Sequence, residues 1–205
     1  MIDRQKHWND TYSAKAEDQV SWFQVKPEGS LKLIAAAARD HTAPIIDIGG
    51  GASRLADNLL ARGYRDLTVL DIAETALAKT KARLGAVQAQ RLSWIIADVT
   101  EWQPQRQWQV WHDRAVFHFL TEPAAQDAYI AALKRGTAAG ASVIMATFAL
   151  DGPERCSGLP VQRYSPATLA ARLGADFALY AQGDESHATP FGTIQQFQYA
   201  AFRRN

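Results

Sequence analysis

At 205 residues the chain has the length of one α/β domain and can bury about 70% of the surface its unfolded form exposes, so its core needs no staples. Lys and Arg total 22 against 21 Asp and Glu, a formal net charge of +1 with no basic run, which argues against electrostatic docking on nucleic acid or anionic membrane. The lone cysteine, Cys156, rules out an intramolecular disulfide and a cysteine-built zinc site. The polar start at Met1-Ile2-Asp3-Arg4 and the absence of any run near ~18 apolar residues predict neither a signal peptide nor a membrane span, and hence a cytoplasmic location.

Residues 1–26 are polar but carry Trp8, Tyr12, Trp22 and Phe23, too aromatic for a disordered tail. A helical pattern from Pro27 runs through Leu31, Leu33 and Ile34 to Ala38, and strands then alternate with helices. A strand over 44–48 enters a glycine cluster, and a helix over 54–62 stops at Gly63. The next strand, 66–70, ends at Asp71. An Ala- and Lys-rich helix from Glu74 to Leu84 is closed by Gly85. A strand over 92–97 ends at Asp98, and a short one from Val110 to His112 ends at Asp113. A helix after Pro123 reaches Gly136, and Ser142 to Phe148 form a fifth strand. A Gly/Pro-rich loop over 151–165, a short helix over 166–173 and strands at 176–182 and 195–202 complete the chain. Alternation implies a parallel sheet with right-handed crossovers; the last two strands are too close for a helical crossover and should form an antiparallel edge hairpin. The expected architecture is one doubly wound, mostly parallel seven-stranded α/β domain over residues 1–205 with a reversed C-terminal hairpin.

The sharpest local signal is Ile45-Ile46-Asp47-Ile48-Gly49-Gly50-Gly51-Ala52-Ser53, an apolar strand running into glycines. Such a turn lets backbone N–H groups approach a ligand with no side chain in the way. An acid at the tip of the following strand, Asp71, can accept two hydrogen bonds from a ribose diol and can equally cap the helix from Glu74. The pair points to a nucleoside-binding fold. A dinucleotide fingerprint fails, because Arg54 stands where G-x-G-x-x-G needs its third glycine.

The cluster resembles the D-x-G-x-G-x-G loop of class I S-adenosylmethionine-dependent methyltransferases, with Asp47, Gly49 and Gly51 in place and Ser53 for the last glycine, a variant seen in some lysine and thiol methyltransferase branches. That resemblance implies S-adenosylmethionine as cofactor. Its methionine portion would meet the turn from Asp47 through Gly49, Gly50 and Gly51 to Ser53. Its ribose would meet Asp71 and the adjoining Ile72, and its adenine Asp98 and Val99. The segment from Trp8 to Phe23 resembles the aromatic lead-in of thiopurine-type and elongation-factor-lysine-type methyltransferases, a lid that brings Trp22 against the cofactor; the plainer alternative is an amphipathic helix lying on the sheet. Residues 1–26 would then be the lid, 45–120 the cofactor half and 151–205 the acceptor side.

Catalytic candidates are Asp113 and His118. Asp113 could orient a nucleophile, bind a cationic substrate or form a structural pair with Arg114. His118 and His112 titrate in the right range for a base, but a strand histidine such as His112 is more often a satisfied core group. No carboxylate or cysteine neighbour completes a metal-ligand set, so no metal is expected. Family members that methylate nucleobases carry an Asn/Asp-Pro-Pro-aromatic stretch near Asp113, absent from this chain. Cys156 and the connection at His187, Thr189 and Pro190 belong to segments able to reach the acceptor pocket. The expected activity is methyl transfer to a small-molecule thiol, carboxylate, amine or metalloid. The alternatives are a protein lysine N-methyltransferase and a non-catalytic nucleotide-binding scaffold.

Overall fold

The computed structural model describes residues 3–205. Helix α1 (Arg4–Ala14) begins at Asp3, whose side chain caps the Lys6 N–H, and α2 (Glu28–Ala37) follows an irregular aromatic stretch. The alternating part then runs β1 (Ile45–Ile48), α3 (Leu55–Ala61), β2 (Leu67–Asp71), α4 (Glu74–Ala89), β3 (Leu92–Ile96), β4 (Trp108–Arg114), α5 (Pro123–Gly136) and β5 (Thr137–Phe148). A two-stranded ribbon, β6 (Arg155–Cys156) with β7 (Leu159–Pro160), stands in the 151–165 loop. After it come α6 (Pro166–Leu173), β8 (Phe177–Ala188) and β9 (Ile194–Arg204).

The seven main strands form one sheet in the order β3-β2-β1-β4-β5-β9-β8. The first five are parallel, and β9 runs antiparallel between β5 and β8, as the short final connection required. Strand order reverses between β1 and β4, which opens a crevice beyond their carboxyl ends, the position where ligands bind in open α/β sheets. β1 and β2 are buried at every residue because helices cover both faces. One core packs Leu31, Ile34, Leu55 and Leu77 against Ile45, Val110 and Ile144; the other packs Tyr129, Leu133 and Leu169 against Ile46, Trp111 and Met145. Each such side chain stabilises the fold by roughly 1.5–3 kcal/mol when fully buried.

Several expected boundaries move. β4 is seven residues rather than three, so Asp113 lies inside the strand instead of after it, held there by pairing with β1 and β5 on both sides. β5 starts directly at the end of α5, and the hairpin strands reach twelve and eleven residues because each pairs along most of its length. α4 continues to Ala89, but Gly85 adopts φ 73° and interrupts it at the expected breaker. No helix among the described residues is long and apolar enough to cross a membrane.

Candidate active site

Two connected cavities lie at the carboxyl ends of the strands, sharing Tyr12, Trp22, Gly49 and Arg114 on their walls. The first is lined by Asp71 and Ile72 from the end of β2, Asp98 and Val99 beyond β3, and the aromatic side chains of Trp8, Phe119, Phe148 and Phe197. The second is lined by Asp47, Gly50, Ser53, Arg54, Ser30 and His112.

The glycine turn is built against its own acids. Gly49 adopts φ 66°, a region that favours glycine, and its N–H donates to the Leu70 carbonyl at 2.7 Å, folding the turn back over β2. A Cβ on Gly50 would collide with Asp47 Oδ2 and lie 2.8 Å from Val69 Cγ1; one on Gly51 would collide with Asp71 Oδ2. Asp47 has no room to yield. Its Oδ1 meets His112 Nδ1 at 2.7 Å, and His112 Nε2 meets Ser30 Oγ at 2.8 Å, a buried chain tying β1 to β4 and α2. Gly50→Ala is therefore expected to destabilise the protein by about 1–3 kcal/mol through overpacking, lowering the melting temperature by about 2–12 °C in a thermal scan.

Asp71 is 5% exposed. Its Oδ1 accepts the Ala73 N–H at 2.8 Å, and the Gly51 and Ile72 N–H groups also donate to its carboxylate. Burial pushes its carboxyl up to about 7; these donors oppose the shift and the charge of Asp47 adds to it. Asp98 Oδ1 accepts from the Thr100 N–H (2.9 Å) and hydroxyl (2.7 Å), while Oδ2 pairs with Arg4 of α1 at 2.7 Å. Asn9 accepts from the backbone and hydroxyl of Thr75, so α1 is fastened at two points across the strand ends. It brings Trp8 edge-on to Phe119 (5.0 Å between ring centres) and to Trp22 (5.9 Å). The lead-in thus forms cavity wall as well as packing on α4.

Of the residues expected around a cofactor, Asp47, Gly49, Gly50, Ser53, Asp71, Ile72, Asp98, Val99 and Trp22 line one or both cavities. Gly51 does not; it tucks beneath Asp71, and its carbonyl accepts from Thr80 Oγ1 at 2.6 Å. Ser53 also caps α3 by accepting the Leu55 N–H at 3.0 Å.

Asp113 and His118 lie away from both walls. Asp113 is 0% exposed and accepts from Tyr129 Oη at 2.6 Å, the Val116 N–H at 2.9 Å and the Phe117 N–H at 3.1 Å. Alternation along β4 is the reason: Asp113 follows Trp111 to the α5 face, while His112 and Arg114 point to the other. The expected Asp113–Arg114 pair is therefore absent, and Arg114 pairs with Glu185. His118 is buried and neutral. Its Nδ1 accepts the Phe148 N–H at 3.3 Å, and burial, aided by the nearby Arg114 charge, pushes it down to about 3. His187 Nε2 binds the Ser21 carbonyl at 2.7 Å outside both walls. Cys156 reaches the first cavity, but burial pushes its thiol up to about 11, so it is protonated near neutral pH. Among the described residues, no three His, Cys, Asp or Glu side chains cluster closely enough to hold a metal ion.

Arg114 and Arg4 are the site residues that the sequence motifs did not single out. Arg114 donates from Nε to Tyr199 Oη at 3.2 Å and from Nη1 to the Trp22 carbonyl at 3.1 Å, and it lies over the Phe197 ring at 4.5 Å. Period-two alternation from His112 was the available signal for Arg114. Nothing local marked Arg4, whose partner is far along the chain.

The model of the methyltransferase-domain family matches residues 45–140. Among solved structures, the chain resembles a protein from work on conversion of a disulfide bond into a thioacetal group during echinomycin biosynthesis (16% identity, 98% of this chain and 92% of that one, TM-score 0.77). It also resembles an S-adenosylmethionine-dependent methyltransferase from Anabaena variabilis (12% identity, 100% and 96% coverage, TM-score 0.76). A third is the Burkholderia thailandensis 1,6-didemethyltoxoflavin-N1-methyltransferase (17% identity, 98% and 84% coverage, TM-score 0.72). A comparison with curated protein sequences finds no match. At these identities the structures speak for the fold alone, which is that of S-adenosylmethionine-dependent methyltransferases, and the family match covers β1, the glycine turn and the strands through β4.

Proposed function

We propose that this protein binds S-adenosylmethionine across the ends of β1, β2 and β3 and methylates a small molecule held between β4, β5, β9 and α1. The observation that carries this reading is the meeting of Asp71, Asp98 and the Gly49 turn on one cavity wall beneath an aromatic lid. The residues fit the group. Two strand-end acids offer acceptors for ribose hydroxyls and an adenine amine, and Ile72 and Val99 offer apolar faces. The second cavity carries a carboxylate, Asp47, and a guanidinium, Arg54, which match the ammonium and carboxylate of an amino acid. When bound, S-adenosylmethionine supplies an electrophilic methyl on a positive sulfur.

The chain's own work is then positioning. Asp71 accepts from the ribose, Asp98 and the Val99 N–H meet the adenine, and Trp8, Tyr12 and Trp22 exclude water while their faces attract a cation. Holding the reactants in line can supply up to ~7–11 kcal/mol, which accounts for a site without an evident base. The aromatic cleft between α1 and the hairpin strand β9 favours a small acceptor over a protein lysine.

Thermal shifts with S-adenosylhomocysteine and with NADH test the reading. At about a hundred times its dissociation constant a ligand adds ~2.7 kcal/mol, or roughly 5–11 °C for a chain of this size. A shift with S-adenosylhomocysteine alone is expected. A shift with NADH alone overturns the assignment, and no shift with either favours a non-catalytic scaffold.

A further inference from the structure

The acceptor end of the first cavity has an uneven chemistry. Its wall is aromatic, from Trp8, Trp22, Phe119, Phe148 and Phe197, and its charge there is Arg114. The wall's two carboxylates, Asp71 and Asp98, stand at the far end on β2 and β3. Among the described residues no free proton acceptor faces the acceptor end: His112 is engaged at both ring nitrogens, His118 is off the wall, and Cys156 is protonated near neutral pH. Glu185, 3.4 Å from Arg114, sits behind it and lines neither cavity.

Arg114 is also fixed. Tyr199, the Trp22 carbonyl and Glu185 each take one of its five N–H donors, and Phe197 supports its plane. Ala115, the next residue, holds φ 72°, a left-handed turn rare for a residue with a side chain, and so ends β4 with Arg114 at the junction of the two cavities. With S-adenosylmethionine held across both cavities as proposed, its positive sulfur would fall near that junction. Two cations side by side in an apolar cleft call for an anion between them.

We infer that the acceptor is a flat, apolar carboxylic acid, bound as its carboxylate by Arg114 with its body among the aromatic rings. This inference rests on the methyltransferase reading and names its substrate class. The free N–H groups of a planar guanidinium match a carboxylate better than any other anion of this size. An acceptor that arrives ionised needs no base. One carboxylate oxygen forms the new bond to the methyl carbon, the methyl–sulfur bond breaks with its electron pair left on sulfur, and no proton changes place.

The test uses 2-naphthoate, with 2-naphthamide and 2-naphthylmethylamine as neutral and cationic counterparts. Binding to the full chain, with and without saturating S-adenosylhomocysteine, is read by tryptophan fluorescence, since Trp8 and Trp22 stand in the wall. Naphthoate is expected to bind at least tenfold more tightly than either counterpart. Arg114→Gln should abolish that preference while changing S-adenosylhomocysteine affinity less than threefold, and Arg114→Lys should restore part of it. Glu185→Gln, which removes the competing carboxylate, should tighten naphthoate several-fold, a gain that misfolding cannot produce. Equal or tighter binding of the amine, or no gain in Glu185→Gln, overturns the inference. So does an Arg114→Gln variant that loses S-adenosylhomocysteine as fully as naphthoate, which would make Arg114 the anchor of the cofactor's own carboxylate. Failure of S-adenosylhomocysteine to bind at all would instead count against the methyltransferase reading, and naphthoate selectivity is still read on the free protein.

Discussion

Asp113→Ala is expected to cost about 2–6 kcal/mol of folding stability, because it strands two buried donors, each worth roughly 1–3 kcal/mol when left unpaired, and a half-buried third. Those donors are Tyr129 Oη and the N–H groups of Val116 and Phe117, which the carboxylate gathers at the end of β4. Urea unfolding should read the loss, and Tyr129→Phe should give a smaller one by removing a single partner. The pH dependence has a definite sign. Burial raises the Asp113 carboxyl to about 6 from an ordinary 3.8, with the Tyr129 hydroxyl and the backbone N–H groups opposing. The unfolded chain therefore releases this proton first, and the stability the group contributes declines as pH climbs from about 4 to 6. The gap between wild type and Asp113→Ala should be wider at pH 4 than at pH 8. A residue acting only on the acceptor would leave stability unchanged and slow turnover alone, so an unaltered unfolding curve would return Asp113 to the catalytic candidates.

The second large effect is on binding. Asp71→Ala should weaken S-adenosylhomocysteine by about 3–6 kcal/mol, two charge-assisted hydrogen bonds at roughly 1.5–3 kcal/mol each, or two to four orders of magnitude by isothermal titration. Wild-type affinity should also rise with pH. The Asp71 carboxyl is pushed up to about 7 chiefly by burial, and the ionised form is the better acceptor of both ribose hydroxyls. Affinity should fall nearly tenfold per unit below that value and level off above it, and Asp71→Ala should flatten the profile. Undiminished affinity in the variant would remove the ribose role.

Much of the fold is readable along the chain because the relevant physics is local. The apolar run Ile45–Ile48 ahead of three glycines marks a buried strand and a turn. Gly63 and Gly85 fall where helices stop or break, and Pro123 and Pro166 stand at the first positions of α5 and α6. Asp71 and Asp98 reach the cavity because the end of a parallel strand has one outlet in this topology. Asp113 shows where that reasoning stops. Its place after Val110–His112 looks the same in the sequence as that of Asp71 after Leu67–Leu70, but pairing extended β4 past it and alternation turned its carboxylate to α5.

The order of the elements, the reversed hairpin, the glycine turn and the two acids beside it are legible in the chain alone, each a matter of periodicity or of backbone conformation within a few residues. The tertiary structure alone decided which side chains meet. Asp47, His112 and Ser30 join across three elements, Arg4 crosses to Asp98, and Arg114 gathers Trp22, Glu185 and Tyr199 over long stretches of chain. Such contacts leave no local trace because they depend on register and face, set when strands pair and helices pack, and a shift of one residue along a strand turns every side chain to the opposite face.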